Sequence, residues 1–169
     1  MRKIKFRGQT RKKGEKVRMD GTPIDGNWVY GGVMQGEGDF SIIYENKTYE
    51  KRVVYTDTVC QYTGLKDKNG KEIWENDIVC FQFDNDSCPF PNKDTKKRIG
   101  RIFFSDYRAS FSITMGRKWS KSMNNDLYKY VQCGNRVEVI GNIFDNPELL
   151  DVDKQASKYA DNDVMKPAT

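Results

Sequence analysis

Three carboxylates crowd into "KEIWENDIV" (71–79), namely Glu72, Glu75 and Asp77. Two carboxylates in unlike surroundings can share general-acid and general-base work. Just upstream, "KDKNG" (66–70) sets Asp67, Asn69 and Gly70 at a spacing that superficially suggests a calcium loop. A calcium loop needs glycine at its sixth position and glutamate at its twelfth. Counting from Asp67, glycine comes fourth and the twelfth residue is Ile78, while Lys66, Lys68 and Lys71 would repel a cation. The same residues read simply as structure: Asn69-Gly70 reverses the chain between two apolar runs, and the three carboxylates are exposed turn and strand-edge groups.

The chain has no histidine. That removes the commonest general base, the Ser-His and Cys-His nucleophile systems and every histidine-containing metal site. The four cysteines, Cys60, Cys80, Cys88 and Cys133, include no CxxC pair. They read as reduced thiols, with Cys60 and Cys80 in apolar runs as core packing, and a zinc site would lack the close ligand pairs that usually start one. No cofactor is expected. A second acidic cluster, Asp84 and Asp86, lies in a proline-bearing connection over residues 82–97. An enzyme built on carboxylates, lysine or tyrosine would need these groups to converge in a pocket, so a non-enzymatic protein is expected.

The basic residues are more informative. The net charge is +5, yet residues 1–18 alone carry nine cations (Arg2, Lys3, Lys5, Arg7, Arg11, Lys12, Lys13, Lys16 and Arg18) against Glu15. The rest of the chain is net acidic. In "RKIKFR", Ile4 and Phe6 share one parity and Lys3, Lys5 and Arg7 the other, the pattern of a strand that buries two apolar side chains and displays a row of cations. Such a strand, extended by the loop "TRKKGEKVR", could hold a phosphate backbone without reading bases. The same charges equally suit a solvated edge strand protected from aggregation. A further cluster, Lys93, Lys96, Lys97, Arg98 and Arg101, would enlarge the surface if folded beside the first.

The elements that must position these groups are short and β-like. They include "NWVYGGVM" (27–34), a hairpin in "FSIIYENKTYEKRVVY" (40–55) with Ile42, Ile43, Val53 and Val54 as core candidates, and "CQYTGL" turning into "KEIW". "DIVCFQF" (77–83), "RIGRIFFS" (98–105), "ASFSITMG" (109–116) and "RVEVIGNIF" (136–144) follow, the last with Val137 and Val139 in and Arg136 and Glu138 out. "NNDLYKYV" (124–131) is a short helical turn or a strand, and Asn146-Pro147 opens a brief terminal turn. Many short strands with turn signals between them indicate an all-β barrel or sandwich. No apolar run approaches the roughly 18 residues of a membrane span and no secretory signal is evident, so no membrane association is expected.

"YTGLKDKNGKEIWENDIV" with "VEVIGNIFDNPELL" (137–150) resembles the YopX family, found mainly in phages, prophages and bacterial mobile elements; "IKFRG" (4–8) and "NWVYGG" (27–32) fit the same family's start. Trp74 stands where a tyrosine is usual, and Asn76 where glycine is usual. The resemblance implies a small SH3-like barrel with an N-terminal β extension, in the cytoplasm of a bacterial host, and carries over no catalytic residue. It implies one β domain over 1–150, with N-terminal strands to 58 and the barrel portion over 59–150, then a polar tail over 151–169. The expectation is a binding module, contacting nucleic acid through the nine N-terminal cations, or a host or phage protein, or further copies of itself as a homo-oligomer through its sheet edges.

Overall fold

The computed structural model describes residues 3–10, 28–36, 38–45, 48–82, 97–115, 125–132 and 134–151. Eleven strands occur among them: β1 (Phe6–Gln9), β2 (Trp28–Met34), β3 (Phe40–Glu45), β4 (Lys51–Tyr55), β5 (Cys60–Lys66), β6 (Glu72–Trp74), β7 (Asp77–Gln82), β8 (Lys97–Ser105), β9 (Ser110–Met115), β10 (Asn125–Asp126) and β11 (Val137–Asn142). One helix, α1 (Leu127–Gln132), and two 3₁₀ turns, Thr56–Thr58 and Pro147–Leu150, complete the set. The described residues are nearly all β, as their short turn-bounded runs predict. These strands do not close into a barrel among the described residues. They make two open antiparallel sheets, ordered β4-β3-β2-β1-β5-β6 and β10-β9-β8-β7-β11.

The main core lies on the second sheet. Ile73, Val79, Phe81, Ile102, Phe111, Ile113, Leu127, Tyr130, Val137 and Val139 pack there, with α1 closing one side. A smaller core of Val29, Ile43 and Val54 fills the inner face of the first sheet, with Val33 and Val59 against it. That sheet curls until β4 approaches β1. Gly8 permits the approach, since a Cβ on it would stand 2.9 Å from Val54 Cγ2.

The pleat sorts the core candidates. Ile43 and Val54 are fully buried, whereas their neighbours Ile42 and Val53 point to the other face, half-buried and exposed respectively. Successive residues of a strand cannot share a face. β1 reverses the expected parity: Ile4 is 71% exposed and Arg7 only 7%. The ladder explains this, because Arg7 lies opposite Tyr30 of β2 and Cys60 of β5, on the face that β6 and the start of β7 cover. Arg136, expected outside, is also buried, its guanidinium 5.3 Å from the Tyr130 ring centre, while Glu138 reaches out to Lys68 at 2.5 Å. Asn146 precedes the last 3₁₀ turn with Pro147 following as predicted, but its side chain makes no cap hydrogen bond.

Where β2 meets β3, a Cβ on Gly31 would fall 1.7 Å from the Tyr44 carbonyl oxygen, whereas one on Gly32 would meet nothing within 4 Å. Gly31→Ala therefore forces two backbones apart. It is expected to cost about 3 kcal/mol and lower Tm by about 6–12 °C, with Gly32→Ala as the tolerated control. Thermal unfolding by circular dichroism checks this, and equal melting of both variants would refute the close crossing at Gly31.

Candidate functional site

The stretch 61–79 is the hinge between the sheets. Its first turn is clamped by Asp67, whose Oδ1 accepts the backbone N–H groups of Asn69 (2.8 Å) and Lys71 (2.9 Å) while Oδ2 accepts that of Val139 in β11 (3.0 Å). Both carboxylate oxygens are thus spent on amides, which answers the calcium resemblance with a structural role. Gly70 takes the left-handed conformation (φ 81°). The second turn, Trp74 to Asp77, depends on Asn76 at φ 66°. Asparagine tolerates that region better than other non-glycine residues. The Asn76 N–H donates to Ile102 O (2.9 Å), its carbonyl accepts from Ile143 N (3.1 Å), and Glu75 N donates to Gln61 O (2.9 Å), so one turn stitches both sheets. Its side-chain oxygen accepts Arg101 Nη2 at 2.6 Å.

Charged and aromatic groups converge beside this hinge. Arg7 Nη2 donates to Asp77 Oδ1 at 2.6 Å, and Asp77 Oδ2 accepts the Trp74 N–H at 2.8 Å. The guanidinium lies 4.4 Å from the Trp28 ring centre and 5.4 Å from that of Trp74. Lys5 pairs with Glu72 at 2.5 Å, its ammonium 4.8 Å from the Tyr62 ring and 5.2 Å from Trp74. Tyr30 leans on Trp74 from outside, ring centres 5.4 Å apart. Burial pushes the Asp77 carboxyl above the usual carboxylate range against the pull of Arg7. Burial likewise pushes the Cys60 thiol up to about 11, so it stays protonated and inert.

Sequence reading missed Asp145. Its carboxylate accepts Gln9 Nε2 (2.9 Å), Trp28 Nε1 (3.0 Å) and Asn142 Nδ2 (2.8 Å), tying the segment after β11 to β1 and β2. No local pattern announces a contact between residues so far apart in the chain.

The nine cations fare differently. Lys5 and Arg7 turn inward to their carboxylates, and Lys3 is exposed, while Arg2, Arg11, Lys12, Lys13, Lys16 and Arg18 lie outside the described residues. In the second basic cluster Lys97 and Arg98 are exposed on β8 and Arg101 binds Asn76; Lys93 and Lys96 lie outside the described residues, as do Asp84, Asp86, Cys88, Cys133 and the tail beyond Asp151. The would-be acid/base group is divided, since Glu72 serves Lys5 and Asp77 serves Arg7. Among the described residues, no three cysteines or carboxylates gather as a metal group, and no helix is long and apolar enough to cross a membrane.

Lys3 instead lines a cleft of about 510 Å³ between β5, the β8–β9 turn and α1. Leu65, Phe104, Phe111 and Tyr128 supply its apolar walls, and Asp126 lies beside Tyr128, whose N–H it accepts at 2.9 Å. Phe104 meets Phe111 edge-on at 5.3 Å and keeps part of its ring exposed, as does Tyr128.

Asp145 yields a pH prediction. Burial raises its carboxyl pKa, but the hydrogen bonds from Asn142, Trp28 and Gln9 outweigh this and hold it below the usual range. A carboxyl held below its unfolded pKa of about 3.9 contributes stability that is complete above that value and lost as pH falls through the folded pKa. Asp145→Asn, which offers one acceptor to three donors, is expected to cost about 1–3 kcal/mol at neutral pH. The gap should narrow below about pH 4, and urea unfolding of both proteins across this range would show it. A pH-independent gap would mean the charge is immaterial.

The sequence profile described as YopX protein matches residues 5–151. A comparison with curated proteins gives no match. Among solved structures, the chain is similar to protein EF1440 from Enterococcus faecalis, known from a crystal structure, at 22% identity over 89% of this chain and 99% of that one, with a TM-score of 0.46. The profile takes in β1, both turns of the hinge and the Asp145 segment, and the chain belongs to the YopX family.

Proposed function

We propose that the protein is a non-enzymatic binding module, in the cytoplasm of a bacterial host, that holds single-stranded nucleic acid through its basic N-terminal cations and the cleft that Lys3 lines. The observation that carries this reading is the position of Lys3. It is the exposed cation of β1's leading end and lines the same cleft as the part-exposed rings of Phe104 and Tyr128. A cation beside free aromatic faces suits a strand whose phosphates are neutralised and whose bases stack, a mode worth about 1–3 kcal/mol per stacked base.

Lys5 and Arg7 take a supporting part in this reading, orienting the arm from within, while contact falls to Lys3 with Arg2, Arg11, Lys12, Lys13, Lys16 and Arg18. The second sheet, with β5 and β6 against it, works as an SH3-like portion, an architecture that serves protein and nucleic-acid partners alike. Inward use of Glu72, Asp67 and Asp77 supports a binding rather than a catalytic role.

Fluorescence anisotropy of labelled single-stranded DNA, RNA and duplex DNA at several salt concentrations tests it. Wild type is expected to bind the single strands more weakly as salt rises. Changing Lys3, Arg11, Lys12 and Lys13 to glutamine should flatten the log–log salt slope by roughly 3, at about 0.7 for each phosphate left unneutralised. Tyr128→Ala should weaken binding by about 5- to 100-fold with the slope unchanged. No binding at low salt would overturn the proposal in favour of a protein partner.

A further inference from the structure

An antiparallel sheet with one face on a core ordinarily turns polar side chains outward. The first sheet does not. Its outer face beyond β1 carries Tyr30, Met34, Phe40, Ile42, Tyr44, Val53 and Tyr55, with Lys51 as the charge among them. The ladder sets Met34, Ile42 and Val53 side by side across β2, β3 and β4, and sets Phe40 against Tyr55 with ring centres 5.0 Å apart. Met34 is 49% exposed, Val53 43% and Phe40 39%. A contiguous apolar patch in cross-strand register marks an interaction surface rather than scattered exposure.

The patch runs to a sheet edge, because β4 has β3 as its strand neighbour and no other among the described residues. Edge strands usually resist pairing by holding lysine or arginine out from the edge. Here Arg52 points to the inner face toward Glu45 at 3.9 Å, and Lys51, exposed on the outer face, lies 5.9 Å from the Tyr44 ring centre.

We infer that β4 pairs with β4 of a second copy of this chain, antiparallel about a twofold axis at Val53, making one continuous sheet across a homodimer. The strand's own charges favour this occupant. About that axis Lys51 falls opposite Tyr55 of the mate, Arg52 opposite Val54, Glu50 opposite Thr56 and Val53 opposite Val53, so no like charges stand directly opposite; the two Arg52 residues come diagonal to each other, each with Glu45 of its own chain 3.9 Å away. Lysine against a tyrosine ring is attractive. The apolar row then continues as Met34, Ile42, Val53 and their three mates, and an isologous contact closes at two copies. This pairing involves none of the cleft residues, so it stands or falls separately from nucleic-acid binding.

Sedimentation velocity over a concentration series, with circular dichroism for folding, tests the inference on three proteins. Wild type is expected to dimerise. Val53→Lys, which sets two ammonium groups opposite each other at an exposed position, should be monomeric with an unchanged fold. Val53→Cys, with Cys88 and Cys133 changed to serine, should give an oxidised covalent dimer, since directly opposed residues of an antiparallel pair lie within disulfide reach. A wild type that stays monomeric would overturn the inference and leave the face to another protein. A dimer indifferent to Val53→Lys, or a Val53→Cys variant that fails to cross-link, would equally place the interface elsewhere.

Discussion

A guanidinium held between two tryptophans and a carboxylate is the constraint on which this fold turns. Arg7 belongs to β1, and Asp77 stands 70 residues later at the start of β7. Their contact brings the first sheet onto the second. Burying such a pair costs several kcal/mol of desolvation per ion, which the mutual attraction barely offsets, so its value lies less in net stability than in what it forbids. Any slip of β1 by one residue would turn Arg7 to the opposite face and strand Asp77 in an apolar site. Trp28 and Trp74 exclude water around the pair, and Asp77 also fixes the Trp74 N–H, so the ion pair and the turn that carries it set each other's geometry.

The same economy recurs in the other acids. Asp67 fastens the first hinge turn to β11, and Asp145 gathers an indole and two amides from β1, β2 and β11. Each of these two carboxylates accepts three N–H donors, an arrangement that holds it in one geometry. Groups so occupied make poor proton shuttles. At the cleft and on the outer face of the first sheet, the molecule presents mainly aromatic and aliphatic groups.

Much of this was legible in the sequence wherever the cause is local. Asn69-Gly70 reverses the chain, Pro147 opens a 3₁₀ turn, and Val137, Glu138 and Val139 alternate in, out and in, because each depends on the residue's own backbone preferences or on neighbours one or two positions away. Asn76 in place of a more permissive glycine still takes the left-handed bend. The parity of β1 was not legible. Arginine is amphipathic, and only the arrival of Asp77, Trp28 and Trp74 from distant segments makes burial of Arg7 cheaper than burial of Ile4. The open sheets were hidden for a similar reason: whether strands close depends on β1 pairing both β2 and β5, which no single strand's pattern specifies. The role of Asp145 gave no local sign, because the groups that define it come from β1, β2 and β11.

The outer face of the first sheet bears on how a modest nucleic-acid site could work. If the proposed site binds a single strand, its affinity would rest largely on counterion release and would fall steeply as salt rises. Pairing through β4 would join two chains, each with its own arm and cleft, and would leave both clefts uncovered because none of their residues lies on that edge. A single strand long enough to reach both would bind its second site at the effective concentration set by the dimer rather than by bulk protein, multiplying affinity without a new contact. On the proposed readings, an apolar sheet edge and a cationic arm, each ordinary alone, would then act together, with the Arg7–Asp77 pair holding β1 in fixed register.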